Sequence, residues 1–452
     1  MVRRFAVLTA LIAVGVSCTG STDSPSVRPT SPRSSTSSPP QASTDPNAIK
    51  LDVVADTTGP QREGDRPYLD GMRLAIDEVN AAGGVRGRSL ALEVHDDGGS
   101  PKNGTRLMKA LLGNPSPALL YVGEGPALSA LRTRFERRRK TLFLLQGDLY
   151  TAHAMFREVF QTTIPWEWQA GVIARYLVRD RRARSIGFVG SGKEAGEAEV
   201  TTQRALNYWG GHLAWGVTYG SGKEPPTSAV TRAQGADAVV VFGSPPDSAR
   251  LARLLAESEN PPRIVGGASL LVADPGLPPG TTACYPYTWA GWAEPIRRVR
   301  LFLGRFRAAF NHDPTGLEQE GYDAVKLLAE SLARTGGAGG RKLTNALEKV
   351  NDRTFSSFPI ELGPDDHVLP PRDELGLFAI AGPNERVDPW QAPGSDPWRA
   401  LMRTFTYDGN RTSVLDTDRR VFFPFWRKNQ PGPEFYRSRY GIRTRARRDP
   451  LH

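Results

Sequence analysis

The chain has 452 residues, with 58 Lys and Arg against 48 Asp and Glu and a net charge of +10. That length exceeds what a single core organises, so two domains are expected, and only two cysteines are present, which excludes a scaffold built on disulfides. The positive excess is uneven: residues 411–452 hold 11 Lys or Arg against 4 Asp or Glu, and this tail reads as a solvated basic face or one attracted to an anionic surface.

In chain order, Arg3 and Arg4 lead into the apolar run FAVLTALIAVGVS, residues 5–17, and then Cys18. A membrane span needs ~20 apolar residues, so a secretion signal explains the run better. Gly15, Val16 and Ser17 before the cysteine resemble the bacterial lipoprotein signal, although Gly15 stands where that signal usually has leucine. The resemblance implies acylation of Cys18 and a membrane anchor, with cleavage and secretion as the alternative. Residues 19–48 are dominated by Ser, Thr and Pro, which predicts a disordered linker. Acylation of Cys18 would leave Cys284 as an unpaired thiol. No later stretch is long and apolar enough to span a membrane: GVIARYLV, residues 171–178, is short and contains Arg175.

From residue 49 the pattern is strand and helix in alternation. IKLDVVAD is a short β-branched strand, followed by the loop TTGPQREGDRP and a helix from Tyr68 with Leu69, Met72, Ala75, Ile76 and Val79 on one face. Strands follow at RSLALEVHDD, PALLYVG and TLFLLQG, with helices between them. After Ile164-Pro165 the rhythm restarts, with strands ARSIGFVG, LAWGVTYG, ADAVVVFG and PRIVGGAS. Nearly continuous apolar strands are those buried on both faces, so the expected class is α/β, two parallel-sheet lobes with helices on each side. Three helices without matching strands, from Glu294 to Val350, are expected to finish the first lobe. FSSFPIELGPDDHVLP and ELGLFAIAGPN read as a short hairpin or edge pair, and LMRTFTYD and RVFFPFW as two short strands in the tail.

VVADTTGP, GMRLAIDEVNAAGGVRGRSLALEVHDDGGSP and EQEGYDAVKLLAESLA resemble the branched-chain-amino-acid class of bacterial ABC-transporter substrate-binding proteins, over roughly residues 49–385. The resemblance implies a type I periplasmic-binding-protein fold, two lobes joined by three crossovers. On this sequence it implies lobe one at 49–163 and 286–354, lobe two at 164–285 and 355–400, and a basic aromatic extension at 401–452. It also implies capture of a small-molecule solute (an amino acid, amide or short peptide) by a monomer that delivers it to an ABC permease. A sensing or cell-envelope interaction role for the same clamp is the alternative.

In parallel α/β sheets ligands sit beyond the carboxyl ends of the strands, where helix N-termini offer free N–H groups to anions. The candidate ligand-binding residues in lobe one are Thr58 and Gly59; Gly123, Glu124, Gly125 and Ser129; Gln146, Gly147 and Asp148; and Thr162 at the crossing. In lobe two they are Ala195; Phe242, Gly243 and Ser244; Ala268 and Ser269; and the aromatics Tyr287 and Trp289. By resemblance, the second and third lobe-one loops hold a ligand carboxylate and a lobe-two acid holds its ammonium. Here Gln146-Gly147-Asp148 replaces the usual third-loop hydroxyl, Ala195 replaces an aromatic, and Ala268-Ser269 stand where the acid is expected. An unpaired ammonium in a dry cleft is costly, so Glu124 or Asp148 substitutes from lobe one, or the ligand is not a standard α-amino acid.

Other motifs point nowhere further. Gly187 to Glu194 approaches a phosphate-binding loop but ends on Glu in place of Ser or Thr. His95 beside Asp96-Asp97 falls short of the three or four convergent ligands of a zinc site. No nucleophile elbow or local Ser/His/Asp arrangement is present. The expectation is a binding protein with no enzymatic step, no cofactor, no metal and no nucleic-acid partner.

Overall fold

The computed structural model describes residues 45–123, 131–146, 157–192, 194–272, 277–286, 297–351, 353–356, 358–364, 367–370, 375–382 and 385–389. Residues 1–44, with Cys18 and the segments expected to be a signal and a linker, and residues 390–452, with the two expected tail strands, lie outside the described residues.

Two sheets organise the body. The first contains β1 (Ile49–Ala55), β2 (Leu90–Asp96), β3 (Ala118–Tyr121), β4 (Thr141–Leu144) and β5 (Val159–Gln161) in the order β2-β1-β3-β4-β5. All its pairings are parallel. The second contains β6 (Ile186–Ser191), β7 (Trp215–Tyr219), β8 (Ala238–Phe242), β9 (Arg263–Gly266), β10 (Thr282–Pro286), β13 (Leu375–Gly382) and β14 (Glu385–Pro389), ordered β14-β13-β10-β9-β8-β6-β7. Its five strands β6 to β10 are parallel, and β13 joins β10 antiparallel with β14 beyond it. The two segments read as a short hairpin or edge pair do not pair with each other. The first supplies β12 (Pro359–Ile360), paired with β11 (Arg353–Thr354), and the second supplies β13, which pairs with β14 on the second sheet.

The strands follow their period of two. Ile49, Leu51, Val53 and Ala55 of β1 face one core, with Leu120 of β3 and Phe143 of β4, while Val54, Leu119, Leu142 and Leu144 face another. The first core is closed by α1 (Arg62–Ala81), α9 (Arg297–Phe310), α10 (Gly316–Thr335) and α11 (Arg341–Leu347), through Met72, Phe302, Tyr322 and Leu343. The helices without strands thus cover the first sheet. α2 (Pro101–Leu111) and α3 (Arg132–Arg138) lie on its other face with Met108 and Phe135. That second core continues through α4 (Trp166–Arg175) and α5 (Ala195–Trp209) to Phe188, Val240 and Phe242 of the second sheet. Val189, Val239 and Val241 turn the opposite way, to α6 (Thr227–Ala233), α7 (Pro245–Ala256) and α8 (Ala268–Val272).

The two motifs that carry the family resemblance meet each other. α1 and α10 approach so closely that a Cβ on Gly71 would lie 1.8 Å from the Glu318 carbonyl oxygen, and one on Gly321 would lie 2.2 Å from the Tyr68 carbonyl oxygen. The glycines are the reason the two backbones can touch. α10 starts on a capping box in which Thr315 N–H donates to Glu318 Oε2 (2.7 Å) and Leu317 N–H donates to Thr315 Oγ1 (3.2 Å).

Two boundaries differ from the sequence reading. α1 begins at Arg62, before Pro67, and not at Tyr68. Carboxylates fold that turn: Asp56 Oδ2 accepts Gln61 N–H (2.7 Å) and Asp65 Oδ2 accepts Asp56 N–H (2.8 Å). The bond that Pro67 cannot make falls on Glu63, which is exposed and open to water. The chain also stays with the first lobe beyond 354. Phe358, Ile360, Leu362 and Leu369 lie in the first-lobe core, and Val368 pairs in parallel with Gln161 of β5.

Candidate functional site

The chain passes between the sheets from β5 into α4, from β10 into α9 and from Leu369 into β13. At the carboxyl ends of the first sheet, loops 56–61 and 96–100 are held by carboxylates. Asp56 Oδ1 accepts Thr58 N–H (3.2 Å) and Gly59 N–H (2.5 Å). Asp96 Oδ1 accepts Thr57 N–H (2.9 Å) and Gly98 N–H (3.1 Å), and its Oδ2 accepts the Thr58 hydroxyl (2.6 Å). Burial works against the Asp96 carboxylate, but these donors hold it at a pKa of about 2. Thr58 therefore lies exposed on a loop whose backbone is fixed from below. Gly59 has no room for a side chain, since a Cβ there would be 2.3 Å from Gly98 O.

Beneath these loops sits Asp65. Its Oδ2 takes Asp56 N–H and its Oδ1 takes the side-chain N–H of Gln146 (2.8 Å). Burial pushes the Asp65 carboxyl up to about 7; the two hydrogen bonds oppose this, and nearby Asp97 and Asp56 add to it. Asp97 is likewise raised by burial, and its Oδ1 accepts Gly99 N–H (2.9 Å). Gly123 follows β3 and packs on its own neighbour, because a Cβ there would lie 2.3 Å from the Tyr121 ring. Thr162 is buried in the first crossing, with its N–H on Leu144 O (3.0 Å) and its hydroxyl 3.3 Å from Glu320 Oε2. Glu124, Gly125, Ser129, Gly147 and Asp148 lie outside the described residues.

Lobe two is shaped by the first turn of α4, directly after the crossing. Trp166 donates its indole N–H to Ala198 O (3.2 Å) and Thr202 Oγ1 (3.0 Å), and its ring meets Phe242 edge-on at 5.0 Å. Gln169 accepts Ala268 N–H (2.8 Å) and donates to Ile164 O (2.7 Å). Ala268 and Ser269 open α8, where the Ser269 and Ser248 hydroxyls are 3.1 Å apart. Gly243 adopts φ 149° after β8, and a Cβ there would be 2.1 Å from Ser191 Oγ. Ser244 is the N-cap residue of α7. Ala195 and Phe242 are buried supports: a Cβ on Gly190 would touch the Ala195 methyl at 3.0 Å. Tyr287 and Trp289 lie outside the described residues.

Sequence reasoning did not single out Asp65, Gln169 or Asp247. Asp247, in the first turn of α7, accepts the hydroxyls of Ser191 (3.0 Å) and Ser221 (2.9 Å) and the Gly222 N–H (3.1 Å), tying the β6, β7 and β8 loops together. The signal was present in Ser244-Pro245-Pro246-Asp247, a helix start with an acid in its first turn. Nothing in sequence shows that Ser221 would reach it.

The motifs set aside on sequence grounds are built into other structure. Gly187 to Ser191 is strand, with Gly187 under the Trp215 ring. Among the described residues, Asp52, Glu93 and His95 bring carboxylate and imidazole atoms within 4.8 Å of one another. They have partners already: His95 Nε2 is 3.0 Å from Asp52 Oδ1, Ser116 donates to Asp52 Oδ2 (2.5 Å), and Lys50 pairs with Glu93. Cys284 is buried, and burial pushes its thiol up, away from the reactive thiolate. No helix of the described residues is long and apolar enough to cross a membrane.

Two five-stranded parallel lobes, linked by crossings and bearing their polar loops at the strand carboxyl ends, define the type I periplasmic-binding-protein fold. A sequence profile for periplasmic binding proteins matches residues 48–372, and the chain belongs to that family. It is 24% identical over 230 residues to the Leu/Ile/Val-binding protein BraC3 of Rhizobium johnstonii, covering 49% of this chain and 62% of that one. The chain thus spans about three fifths of the length of such curated relatives. The substrate-binding protein LivJ of Streptococcus pneumoniae, solved with isoleucine, superposes with a TM-score of 0.65 at 16% identity, over 76% of this chain and 98% of that one. A solute-binding protein of an ABC transporter from Rhodopseudomonas palustris, solved with 3,4-dihydroxybenzoic acid, gives 0.63 at 16% identity, over 77% and 99%. The family is one of binding proteins and not of enzymes.

Proposed function

We propose that this chain captures a small polar or amphipathic solute between its lobes outside the cytoplasm and delivers it to an ABC permease, held at the membrane by an acyl group on Cys18. One observation carries the reading. The crossing and the loops of both lobes are one construction: Thr162 in the crossing is bonded to lobe one, and Trp166 and Gln169 just after it support the lobe-two loops. A hinge that carries the loops on both sides is what a two-lobed clamp requires.

The proposed contacts are Thr58, Gly59, Gly123 and Gln146 from lobe one, with Glu124 and Asp148 as the candidate acids, and Ser244, Ala268 and Ser269 from lobe two. Asp247, in the first turn of α7 after Ser244, already accepts two hydroxyls and an N–H. An ammonium would draw its counter-charge from lobe one, and solutes without an ammonium fit equally well. Relatives of this fold have been solved with an amino acid and with an aromatic carboxylate, so both belong in the test. A thermal-shift series with amino acids, amides, short peptides and aromatic carboxylates is expected to give a saturating rise in melting temperature for one class. No rise for any class would overturn the reading. Mass spectrometry of the chain isolated from membranes tests the anchor, with an acylated N-terminal Cys18 as the expected result.

A further inference from the structure

The end of lobe one opposite the proposed solute site is where residues 1–44 join the body. Asp45 to Ala48 lead into β1, whose first N–H is received by Ser89 O (2.7 Å). Four turns gather at this pole, between the amino ends of the strands. The turn before β2 is closed by Val85 pairing with Arg88. Arg86 Nε donates to Ala333 O (2.8 Å), and Arg88 Nε donates to Asn47 O (2.8 Å). The turn before α11 is set against both neighbours: a Cβ on Gly337 would be 3.2 Å from Arg88 Nη1, and one on Gly340 would be 3.5 Å from Arg139 O. A Cβ on Gly339 would be 2.6 Å from Pro117 O, at the entry to β3.

Arg86, Arg88, Arg138, Arg139, Arg341 and Lys342 are all exposed there. Asp45 is held low by the Ser89 hydroxyl and the Asn47 N–H, with Arg88 adding to the effect, while Glu330 pairs with Arg334 and Arg353 and Glu348 with Arg157. Arg86 and Arg88 tie neighbouring turns together, but fold stability does not account for Arg139, Arg341 or Lys342. Arg341 and Lys342 occupy the first turn of α11, which has no acid, although the N-terminal end of a helix dipole favours anions. Arg139 takes a left-handed backbone, φ 54°, that glycine or asparagine would adopt more readily.

We propose that this pole is a contact face for anionic lipid headgroups, which lays lobe one against the membrane to which the N-terminal segment leads. The proposal rests on the reading that the chain is tethered at a membrane. A tether alone leaves the body free to turn; six cations around its point of attachment give that motion a preferred posture. Attraction of this kind fades beyond about 8 Å at physiological salt, so only a face held close by its own tether gains from it. The posture keeps the solute loops, at the other end of the strands, turned away from the membrane surface until a permease engages them.

The test is partitioning of the full chain onto vesicles of 30% phosphatidylglycerol in phosphatidylcholine and onto phosphatidylcholine alone, compared with the full chain carrying R86E, R88E, R341E and K342E. Both proteins keep the same N-terminal segment and the same basic tail, so the difference between them reports the pole. The expected result is partitioning onto the anionic vesicles at least tenfold weaker for the variant, a difference that disappears in high salt, with equal behaviour on the neutral vesicles. The pair R341E and K342E alone, which suits the helix dipole and should leave folding intact, is expected to lose at least threefold. Equal partitioning of wild type and both variants would overturn the proposal, as would retention by a phosphate-bearing wall polymer without retention by the vesicles. The solute thermal shift, measured on the same proteins, is expected to be unchanged, and its failure would count against solute capture and leave the pole standing.

Discussion

Gln146 donates its side-chain N–H to Asp65 Oδ1 at 2.8 Å, so the loop after β4 and the helix after β1 share one buried carboxylate. The other oxygen of Asp65 holds the Asp56 N–H, and Asp56 in turn holds the Thr58–Gly59 turn. Two of the proposed ligand loops are thereby set by a single side chain.

That carboxylate makes stability depend on pH. The folded-state pKa of Asp65 is about 7, above its ordinary value near 4, chiefly through burial. As pH rises from about 4 to about 7 the unfolded chain gives up this proton first, so the group's contribution to stability falls across that window and is level above it. Asp65→Asn keeps an acceptor for Asp56 N–H and carries no charge. It is expected to flatten the decline and to raise stability near pH 8 by on the order of 2 kcal/mol. Denaturant titrations of both proteins at pH 5 and pH 8 check this; equal slopes with pH would overturn it.

Asp323 has the same sign at a different place. It is fully buried, accepts Ser356 N–H (3.1 Å) and the Ser356 hydroxyl (2.7 Å), and burial raises it to about 7. It fastens residues 353–356 to α10. Asp323→Asn can accept the N–H and redirect the hydroxyl, and is expected to gain stability above pH 7 without altering solute affinity. Asp323→Leu removes both acceptors and is expected to lose about 2 kcal/mol by leaving a buried N–H unpaired.

Gln169→Ala separates support from contact. It leaves Ala268 N–H and Ile164 O without their partner, a cost of about 1–3 kcal/mol for buried groups. The saturating thermal shift is expected to weaken as well, because the loop opening α8 loses its brace. A variant with unchanged solute affinity would show that this loop takes no part in binding.

The α1–α10 contact predicts a contrast between two glycines of one helix. Gly71→Ala would put a methyl 1.8 Å from Glu318 O, and backbone cannot yield cheaply, so a loss of about 3 kcal/mol or more, or failure to fold, is expected. Gly64→Ala meets nothing within 4 Å and is expected to gain about 0.5–1 kcal/mol from reduced backbone freedom. Thermal melts of the two variants decide it.

By itself the sequence determined the layers. The nearly continuous apolar runs in IKLDVVA and ADAVVVF state that both faces of those strands are covered, and the 3.6-residue spacing of Leu69, Met72 and Ile76 states which face of α1 is buried, because side-chain direction follows from the local backbone. The Gly71 and Gly321 motifs marked the family without showing that they touch. Tertiary structure decided where the chain crosses back, since Phe358 and Leu369 are equally apolar in either lobe. It also decided what supports the loops. Asp65 with Gln146, Gln169 with Ala268, and Asp247 with Ser221 join residues 26 to 99 positions apart. Hydrogen bonds at that separation leave no local period, so only the packed chain brings their donors to their acceptors.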